Sequence, residues 1–357
     1  MKKLPILLFA LMAKCSSLLG PDPVDTPISA YEHFWKEMNC SYAYFCRSSL
    51  SWDSLYQLYR SEVSPETTRD ELLQIFGYML SPFDDKHLKV VDINSMKWVD
   101  GRAQIFEQEY NFNDNDSVMF RKLNYYTEAP KYKSLRIFYA ERKYFLYGTL
   151  KDSNFGYLYV PSMRPLGGRV SIEQWQSSID EILNELSKTV GLIIDLRGNG
   201  GGNETYAEAL ACRLIDSTRQ FAKSRYRNGV KHDDFSKWHT YSILPSTKNR
   251  YQRKIVILTD SLTYSAAEWF TLALRECQNV IHAGGKTGGA LGSTLKKVLP
   301  YWFDLVVTVS QTEALYVKDV EGNGILPAVV LDQLWSDGVR DSYIEDAVEI
   351  LVNNSGE

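Results

Sequence analysis

The stretch GLIIDLRGNGGGN, from Gly191 to Asn203, determines how the fold can be interpreted. It opens with a short apolar run, Gly191 to Leu196, of the kind that forms a strand buried on both faces. A glycine-rich turn follows, and the residues from Tyr206 to Leu214 then have helical spacing. Strand, turn and helix in this order predict one unit of an α/β fold with a parallel sheet.

The same order of elements recurs on both sides of this stretch. The run 157–160 is followed by Ser171-Ile172-Glu173-Gln174, which has the spacing of a helical capping box. Downstream, the run 254–259 precedes a helix predicted from Ser265 to Cys277. Strands and helices at this spacing predict parallel strand-helix units from Gly156 onward, with helices covering both faces of the sheet.

The part of the chain before Gly156 has a different pattern. Thr26 and Pro27 make a helix start signal, and apolar residues then recur at helical spacing to about Leu80. The following short, aromatic, roughly alternating runs favour β structure. We therefore divide the chain into a leader at 1–20, a helical cap at 21–87, a β-rich segment at 88–150 and an α/β domain at 151–357.

The composition is that of an ordinary globular protein. The 357 residues are 44% apolar, enough to bury a large core. Lys and Arg number 40 against 44 Asp and Glu, which leaves a net charge of −4. Because no basic run is interleaved with aromatic residues, we predict no nucleic acid partner.

The leader has the form of a secretory signal. Lys2 and Lys3 precede an apolar stretch from Leu4 to Ala13, which is too short to span a bilayer. Cys15 stands where the lipid-modified cysteine of a bacterial lipoprotein would stand, so an anchored lipoprotein and a secreted protein both remain open. We expect an exported chain, in the periplasm or cell envelope, that contacts a membrane only through a lipid anchor at Cys15.

Ser265 is the first candidate for chemistry. It follows a predicted strand and begins a predicted helix, where the free amides of the first turn can stabilise an oxyanion. The glycine-rich turn at 198–202 likewise leaves amides uncovered, although it lacks the endings typical of phosphate and dinucleotide loops. On local sequence alone, a simple helix cap is the favoured interpretation of Ser265.

Four motifs together, in chain order, resemble those of the S41 peptidases, the family of the tail-specific proteases. They are Asp195-Leu196-Arg197-Gly198-Asn199-Gly200-Gly201-Gly202, Thr263-Tyr264-Ser265-Ala266-Ala267-Glu268, Gly285-Lys286-Thr287-Gly288-Gly289 and Glu321-Gly322-Asn323-Gly324-Ile325-Leu326-Pro327. Upstream, Phe83-Asp84-Asp85-Lys86-His87 resembles the family's Asp-x-His element, and the N-terminal helices resemble the cap of members from Bacteroidetes. The resemblance implies a ClpP/crotonase-like spiral of parallel strand-helix units behind this cap.

The family has two catalytic arrangements. In the Ser-Lys branch a lysine follows the Gly-x-x-Thr-x-Gly motif, but this chain has Ala290 at that place and Lys286 at a different register. The other branch, which includes the chlamydial secreted protease and the tricorn core, uses a serine, a histidine and a glutamate. The resemblance places these at Ser265, His87 and Glu321, with imidazole as the general base and carboxylate behind it.

The same resemblance implies the remaining features of the site. The oxyanion donors are the amides of Ala266 and of Gly201 or Gly202, no metal or organic cofactor is required, and the partner is a protein or peptide substrate. Members of the lysine branch carry a PDZ domain, but the segment between His87 and Gly156 is too short for one beside its connecting strands.

We therefore expect an exported serine endopeptidase that acts through an acyl-enzyme, with tail specificity left open. Three alternatives remain. The chain could be a catalytically inactive binding protein on the same scaffold, a Ser-Lys peptidase, or an enzyme of acyl-CoA chemistry on the crotonase fold.

Overall fold

The computed structural model describes residues 24–101, 105–106, 145–150, 153–164, 170–331 and 341–354. The predicted leader with Cys15, and most of the segment 88–150, lie outside these residues. The helices are α1 (Pro27–Ser41), α2 (Trp52–Arg60), α3 (Arg69–Leu80), α4 (Ile172–Glu185), α5 (Glu204–Ala211), α6 (Ala266–Arg275) and α7 (Ser342–Asn354). The strands are β1 (Lys89–Asp92), β2 (Trp98–Asp100), β3 (Ile105–Phe106), β4 (Leu146–Thr149), β5 (Phe155–Tyr159), β6 (Gly191–Asp195), β7 (Arg219–Tyr226), β8 (His239–Ile243), β9 (Lys254–Thr259), β10 (Val280–Gly284), β11 (Thr294–Leu299), β12 (Phe303–Thr308), β13 (Ser310–Ala314) and β14 (Val329–Val330).

A six-stranded sheet forms the centre of the predicted α/β part, in the order β14-β10-β9-β6-β5-β4. The sheet is parallel from β14 through β10, β9 and β6 to β5, and the edge strand β4 runs antiparallel to β5. Strands β6 and β9 are adjacent, with Asp195 opposite Leu258. The turns that follow these two strands, one glycine-rich and the other leading to Ser265, therefore meet at the same edge of the sheet.

Alternate residues of the central strands face opposite layers of helices. Ile194 and Ile257 pack in one core with α4, α5 and α6, whereas Ile193 and Val256 pack in another with α7. Because successive side chains point to opposite faces, a strand covered on both sides has the unbroken apolar sequence seen here. The predicted α/β class, with parallel strand-helix units, is confirmed.

The helical N-terminal region is also confirmed, and it shares one core with strands. Helices α1, α2 and α3 pack with β1, β2, β11 and β12, which belong to the sheet β11-β12-β1-β2-β3. Thr26 caps α1, and Thr68 with Glu71 forms a capping box at α3. At the centre of this core the rings of Phe34 and Phe76 are 4.3 Å apart. The helices thereby hold β1, and His87 just before it, in place.

Some strands lie where the sequence analysis made no prediction. The sheet β13-β7-β8 and the pairing of β11 with β12 are both antiparallel. Most residues of β11 are exposed, so an apolar pattern could not reveal that strand. Within the described ranges, no helix has both the length and the apolar character to cross a bilayer.

Candidate active site

Ser265 occupies the turn between β9 and α6, directly before the helix begins. Its φ is 62° and its ψ is −128°, a conformation that residues other than glycine rarely adopt. The helix caps Thr68 and Ser171, in contrast, have extended backbones, although Ser265 shares with them a capping box with the residue three positions later, Glu268. Such backbone strain persists only where the surroundings impose it. The conformation of Ser265 is thus not that of an ordinary cap.

The buried carboxylate of Glu268 ties this turn to a second loop. Its Oε2 accepts from Ser265 N–H at 3.2 Å and from Ala290 N–H at 2.9 Å. Its Oε1 accepts from Gly289 N–H at 2.9 Å and from the hydroxyl of Thr287. Burial raises the pKa of Glu268, while these hydrogen bonds lower it. Glu268 therefore fixes the nucleophile's backbone against residues 287–290.

The glycine-rich turn packs directly on Ser265. A Cβ atom built on Gly201 would lie 2.6 Å from Ser265 Cβ and 2.9 Å from Ala266 N. Gly201 also has a φ of 87°, which favours glycine. A larger residue would therefore push the two turns apart.

The amides of these turns differ in their partners. Gly201 N–H donates to Asn199 Oδ1 at 2.9 Å, and the Gly201 carbonyl accepts from Met163 N–H at 2.9 Å. Because the peptide is planar and trans, the Gly202 N–H points away from that carbonyl. Neither Gly202 N–H nor Ala266 N–H donates to an acceptor in the described part of the chain. Of these two residues, Gly202 is exposed and Ala266 is buried.

His87 lies just before β1 and is oriented by Asp85. Asp85 Oδ1 accepts from His87 N–H at 2.8 Å, and its Oδ2 accepts from the hydroxyl of Thr308 at 2.8 Å. The imidazole packs edge-on against the ring of Tyr264, with centroids 6.0 Å apart. Since Tyr264 precedes Ser265, the imidazole lies beside the nucleophile's turn.

The imidazole of His87 is in an environment that favours its neutral form. Its side chain is buried, and Nδ1 makes no hydrogen bond with the described residues. Burial lowers the pKa of His87 and the charge of Lys89 lowers it too, whereas Asp85 and a hydrogen bond with the Gly292 backbone raise it. The net effect is a lowered pKa, so the ring is available to accept a proton.

Glu321 contacts the same loop that His87 contacts. Its Oε2 accepts from Leu291 N–H at 2.7 Å and from Gly292 N–H at 2.9 Å. Burial, and then the charge of Asp85, raise the pKa of Glu321 to about 8. The Gly292 peptide thus has His87 and Glu321 as neighbours.

The predicted site residues come together in part. Four of them form one cluster at the edge of the sheet, namely Ser265, Ala266, Gly201 and Gly202. His87 reaches this cluster through Tyr264, and Glu321 reaches His87 through Gly292. No direct hydrogen bond joins His87 to Ser265 or Glu321 in the described structure. The complete triad stays a prediction.

The other four histidines are engaged elsewhere. His33 binds the Ser29 carbonyl, His232 stacks on Phe45, His239 packs on Tyr241, and His282 binds the Thr259 hydroxyl. Burial and the charge of Arg275 lower the pKa of His282 to about 3. In the described contacts, His87 is the histidine that meets the Ser265 turn.

The lysine alternative has less support from the geometry. Ala290, at the place of the family's lysine, is fully buried, and its N–H is bound by Glu268. Lys286 is exposed to solvent rather than buried beside Ser265.

The sequence analysis missed residues that shape the site. Asn199 is fully buried and joins its Nδ2 to the Val160 carbonyl at 2.7 Å while its Oδ1 holds Gly201. Asp85 belongs to the motif Phe83-Asp84-Asp85-Lys86-His87, but the sequence pattern offered no reason to assign it a role in the site. The contact of the Gly292 N–H with Glu321 could not be predicted from the sequence, because a backbone donor does not depend on any pattern of side chains.

No metal centre is evident among the described residues, since they contain no group of three His, Cys, Asp or Glu suited to one.

Comparison with known proteins adds two family matches. Residues 154–331 match peptidase family S41, and residues 23–81 match the tricorn protease C1 domain. The "Carboxy-terminal processing protease CtpA" of Bacillus subtilis (strain 168) is 29% identical over 168 residues, which cover 44% of this chain. That match spans only 33% of the relative's length.

Solved structures share the fold over most of the chain. A putative peptidase from Parabacteroides merdae ATCC 43184 has a TM-score of 0.72 at 24% identity, covering 92% of this chain and 97% of the other. Mature CPAF has a TM-score of 0.65 at 12% identity, with 93% and 98% covered. The photosystem II D1 C-terminal processing protease has a TM-score of 0.52 at 15% identity, with 93% and 99% covered.

Proposed function

Because residues 154–331 of this chain belong to peptidase family S41, we propose that it is a serine endopeptidase with Ser265 as its nucleophile. The observation that carries this proposal is the strained conformation of Ser265 against Gly201. A hydroxyl-bearing residue beside two N–H groups that have no acceptor in the described structure fits acyl transfer, which needs donors for the developing oxyanion.

The first half of the reaction forms the acyl-enzyme. Neutral His87 takes the proton from Ser265 Oγ as that oxygen attacks the carbonyl carbon of the peptide bond. The negative charge that develops on the carbonyl oxygen is stabilised by the N–H groups of Ala266 and Gly202. We assign the second donor to Gly202, because the Gly201 amide is bound by Asn199.

The second half of the reaction releases the products. Protonated His87 gives its proton to the leaving amine, and water then attacks the acyl-enzyme with His87 again acting as base. Glu321 assists by stabilising the imidazolium, since a positive charge nearby favours its ionised form. Both side chains contact Gly292, and the proposed triad requires them to meet during the reaction.

The leading rival is a binding protein without catalytic activity on the same scaffold. Labelling with a fluorophosphonate separates the two, because the reagent forms a covalent bond only with an activated serine. We expect labelling of the unaltered protein and of Ser261→Ala, which removes an exposed serine from the same turn. Labelling should disappear in Ser265→Ala, and a folded but unlabelled protein would refute the enzyme.

We also propose that the chain is exported, on the evidence of residues 1–20. Incorporation of a labelled fatty acid that is lost in Cys15→Ser would identify a lipoprotein. Release of the unlabelled mature chain into the periplasm would identify a secreted protein, and retention of the intact leader in the cytoplasm would contradict export.

A further inference from the structure

Two turns lie side by side at one end of the sheet β11-β12-β1-β2-β3. One joins β1 to β2 through residues 93–97, and the other joins β11 to β12 through residues 300–302. The Ile93 N–H donates to the Trp302 carbonyl at 3.0 Å, which holds the two turns together. Four exposed apolar residues at this end of the sheet form what we term the turn patch, namely Ile93, Met96, Val298 and Trp302.

The side chains of the turn patch are open to solvent. Val298 is 76% exposed, Trp302 59% and Met96 49%. Single exposed apolar residues are normal on a protein surface, whereas several gathered in one place mark an interaction site. The turn patch is therefore a candidate docking surface.

The charged side chains next to the turn patch are paired. Lys97 forms an ion pair with Asp70 at 2.8 Å. The guanidinium of Arg69 binds Asp92 and also donates to the Tyr301 carbonyl at 2.6 Å. An apolar occupant therefore fits this surface better than an ionic one.

The backbone of the two turns is unfavourable for the residues that it carries. Met96 has a φ of 58°, Tyr301 of 62° and Trp302 of 64°. Glycine and asparagine adopt this left-handed conformation more readily than methionine or tryptophan. Folding alone would favour those smaller residues here, and backbone strain that persists under exposed side chains points to a function.

The chain enters the folded body at the turn patch. The carboxylate of Asp25, two residues before α1, accepts a hydrogen bond from the Tyr301 N–H. Cys15, the predicted site of lipid attachment, is ten residues earlier in the chain. At most about 35 Å of extended chain separates the two residues, so a bilayer that held the lipid would be within reach of the patch.

The candidate active site lies at the other end of β1. His87 precedes this strand, whereas Asp92 ends it beside the turn at 93–97. Five residues of strand span about 17 Å. A substitution in the turn patch should therefore leave the catalytic residues in place.

We propose that the turn patch docks on a lipid bilayer, with Trp302 and Met96 inserted between the headgroups and the acyl chains. Tryptophan favours this depth because its ring is apolar and its N–H is polar, and methionine adapts to irregular packing. The inference goes beyond the proposed peptidase and takes its setting from the proposed export. It makes membrane contact a property of the folded body, in addition to any lipid at Cys15.

The experiment measures binding of the chain without residues 1–20 to vesicles of phosphatidylethanolamine and phosphatidylglycerol by co-sedimentation. This form keeps every contact of the described structure, which begins at residue 24. We expect the wild-type form to sediment with the vesicles. Met96→Asn and Trp302→Asn together should lower the binding constant at least about 10-fold, since losing about 60 Å² of buried apolar area changes an equilibrium constant roughly tenfold. Because asparagine suits the left-handed backbone, this patch variant should fold.

Leu244→Asn is the matched control. Leu244 is 62% exposed and follows β8 in a different sheet, so its loss should leave binding unchanged. Raised salt should also leave binding unchanged, because salt screens charges and does not weaken apolar contacts. The proposal would be overturned by absence of vesicle binding, by equal binding of the patch variant and the control, or by release in salt. A dimer in solution that the patch variant loses, measured by light scattering, would also overturn it by assigning the patch to a second copy of the chain.

Fluorophosphonate labelling of the same variants separates this proposal from the proposed function. The patch variant should be labelled at the wild-type rate, because the patch is distant from Ser265. A labelled protein that does not bind vesicles contradicts the docking surface alone. An unlabelled protein that binds vesicles contradicts the peptidase alone.

Discussion

Replacing Gly201 by Ala should inactivate the site and should also lower the unfolding free energy by at least the strain of a left-handed alanine, about 1–2 kcal/mol. The added Cβ would lie 2.6 Å from Ser265 Cβ, 2.7 Å from the Tyr264 carbonyl oxygen and 2.9 Å from Ala266 N. Two of these three atoms belong to the backbone, so the clash cannot be relieved by rotating a flexible side chain. The two turns must separate, and they carry the nucleophile and the oxyanion donors.

The expected magnitude follows from this displacement. A misplacement of about 1 Å costs roughly 100-fold in rate, and loss of one oxyanion donor costs about 100- to 1,000-fold. We therefore expect fluorophosphonate labelling and kcat/KM to fall at least about 100-fold in Gly201→Ala.

Gly198→Ala is the matched control. Gly198 lies in the same turn and also has a positive φ, 74°, but a Cβ there meets nothing within 4 Å. It should cost only the strain of a left-handed alanine, about 1–2 kcal/mol of unfolding free energy, with labelling preserved. The assay measures the second-order labelling rate beside chemical denaturation of each variant. Equal labelling rates in the two variants would refute the geometry assigned to Gly201.

Three further changes test the electrostatics and stability. Burial moves the pKa of Glu321 from 4.5 to about 8, so kcat/KM should rise as the pH increases through about 8, and this rise should be absent in Glu321→Gln. The same shift should lower the unfolding free energy as the pH increases from 4.5 to about 8, because the carboxyl group ionises at lower pH in the unfolded chain than in the folded protein. A pH profile shared by wild type and variant would contradict this. Arg197→Ala should lower the unfolding free energy, measured by chemical denaturation, by about 3–5 kcal/mol, because it leaves the buried carboxylates of Asp195 and Asp341 without their cationic partner. A loss below about 1 kcal/mol would mean that these carboxylates are effectively solvated. Ser171→Ala removes the capping box of α4 and should cost about 1 kcal/mol with no change in labelling rate, whereas a changed rate would show coupling of that helix end to the site.

Local sequence was enough for three strands of the central sheet, β5, β6 and β9, whereas β10 and β14 were not predicted. The capping box at Ser171 and Gln174 and the apolar runs of β6 and β9 are properties of neighbouring residues, and the structure has them. Helix α6 was predicted to reach Cys277 and instead ends at Arg275. The strands β7, β8, β11 and β13 were not predicted, because their partly exposed residues lack the apolar signal of the buried strands. Strand β12 was not predicted either, although five of its six residues are buried.

The sequence by itself determined the parallel strand-helix architecture, because a buried strand, a glycine turn and a helix start are all encoded by adjacent residues. It pointed to Ser265 as the candidate nucleophile only through four motifs that, in chain order, resemble those of the S41 peptidases. Only the tertiary structure shows that the Gly201 N–H donates to Asn199, whereas the Gly202 N–H has no acceptor in the described residues. It also shows that His87 and Glu321 both contact Gly292. Those contacts depend on how segments far apart in the chain pack, which residue spacing does not record.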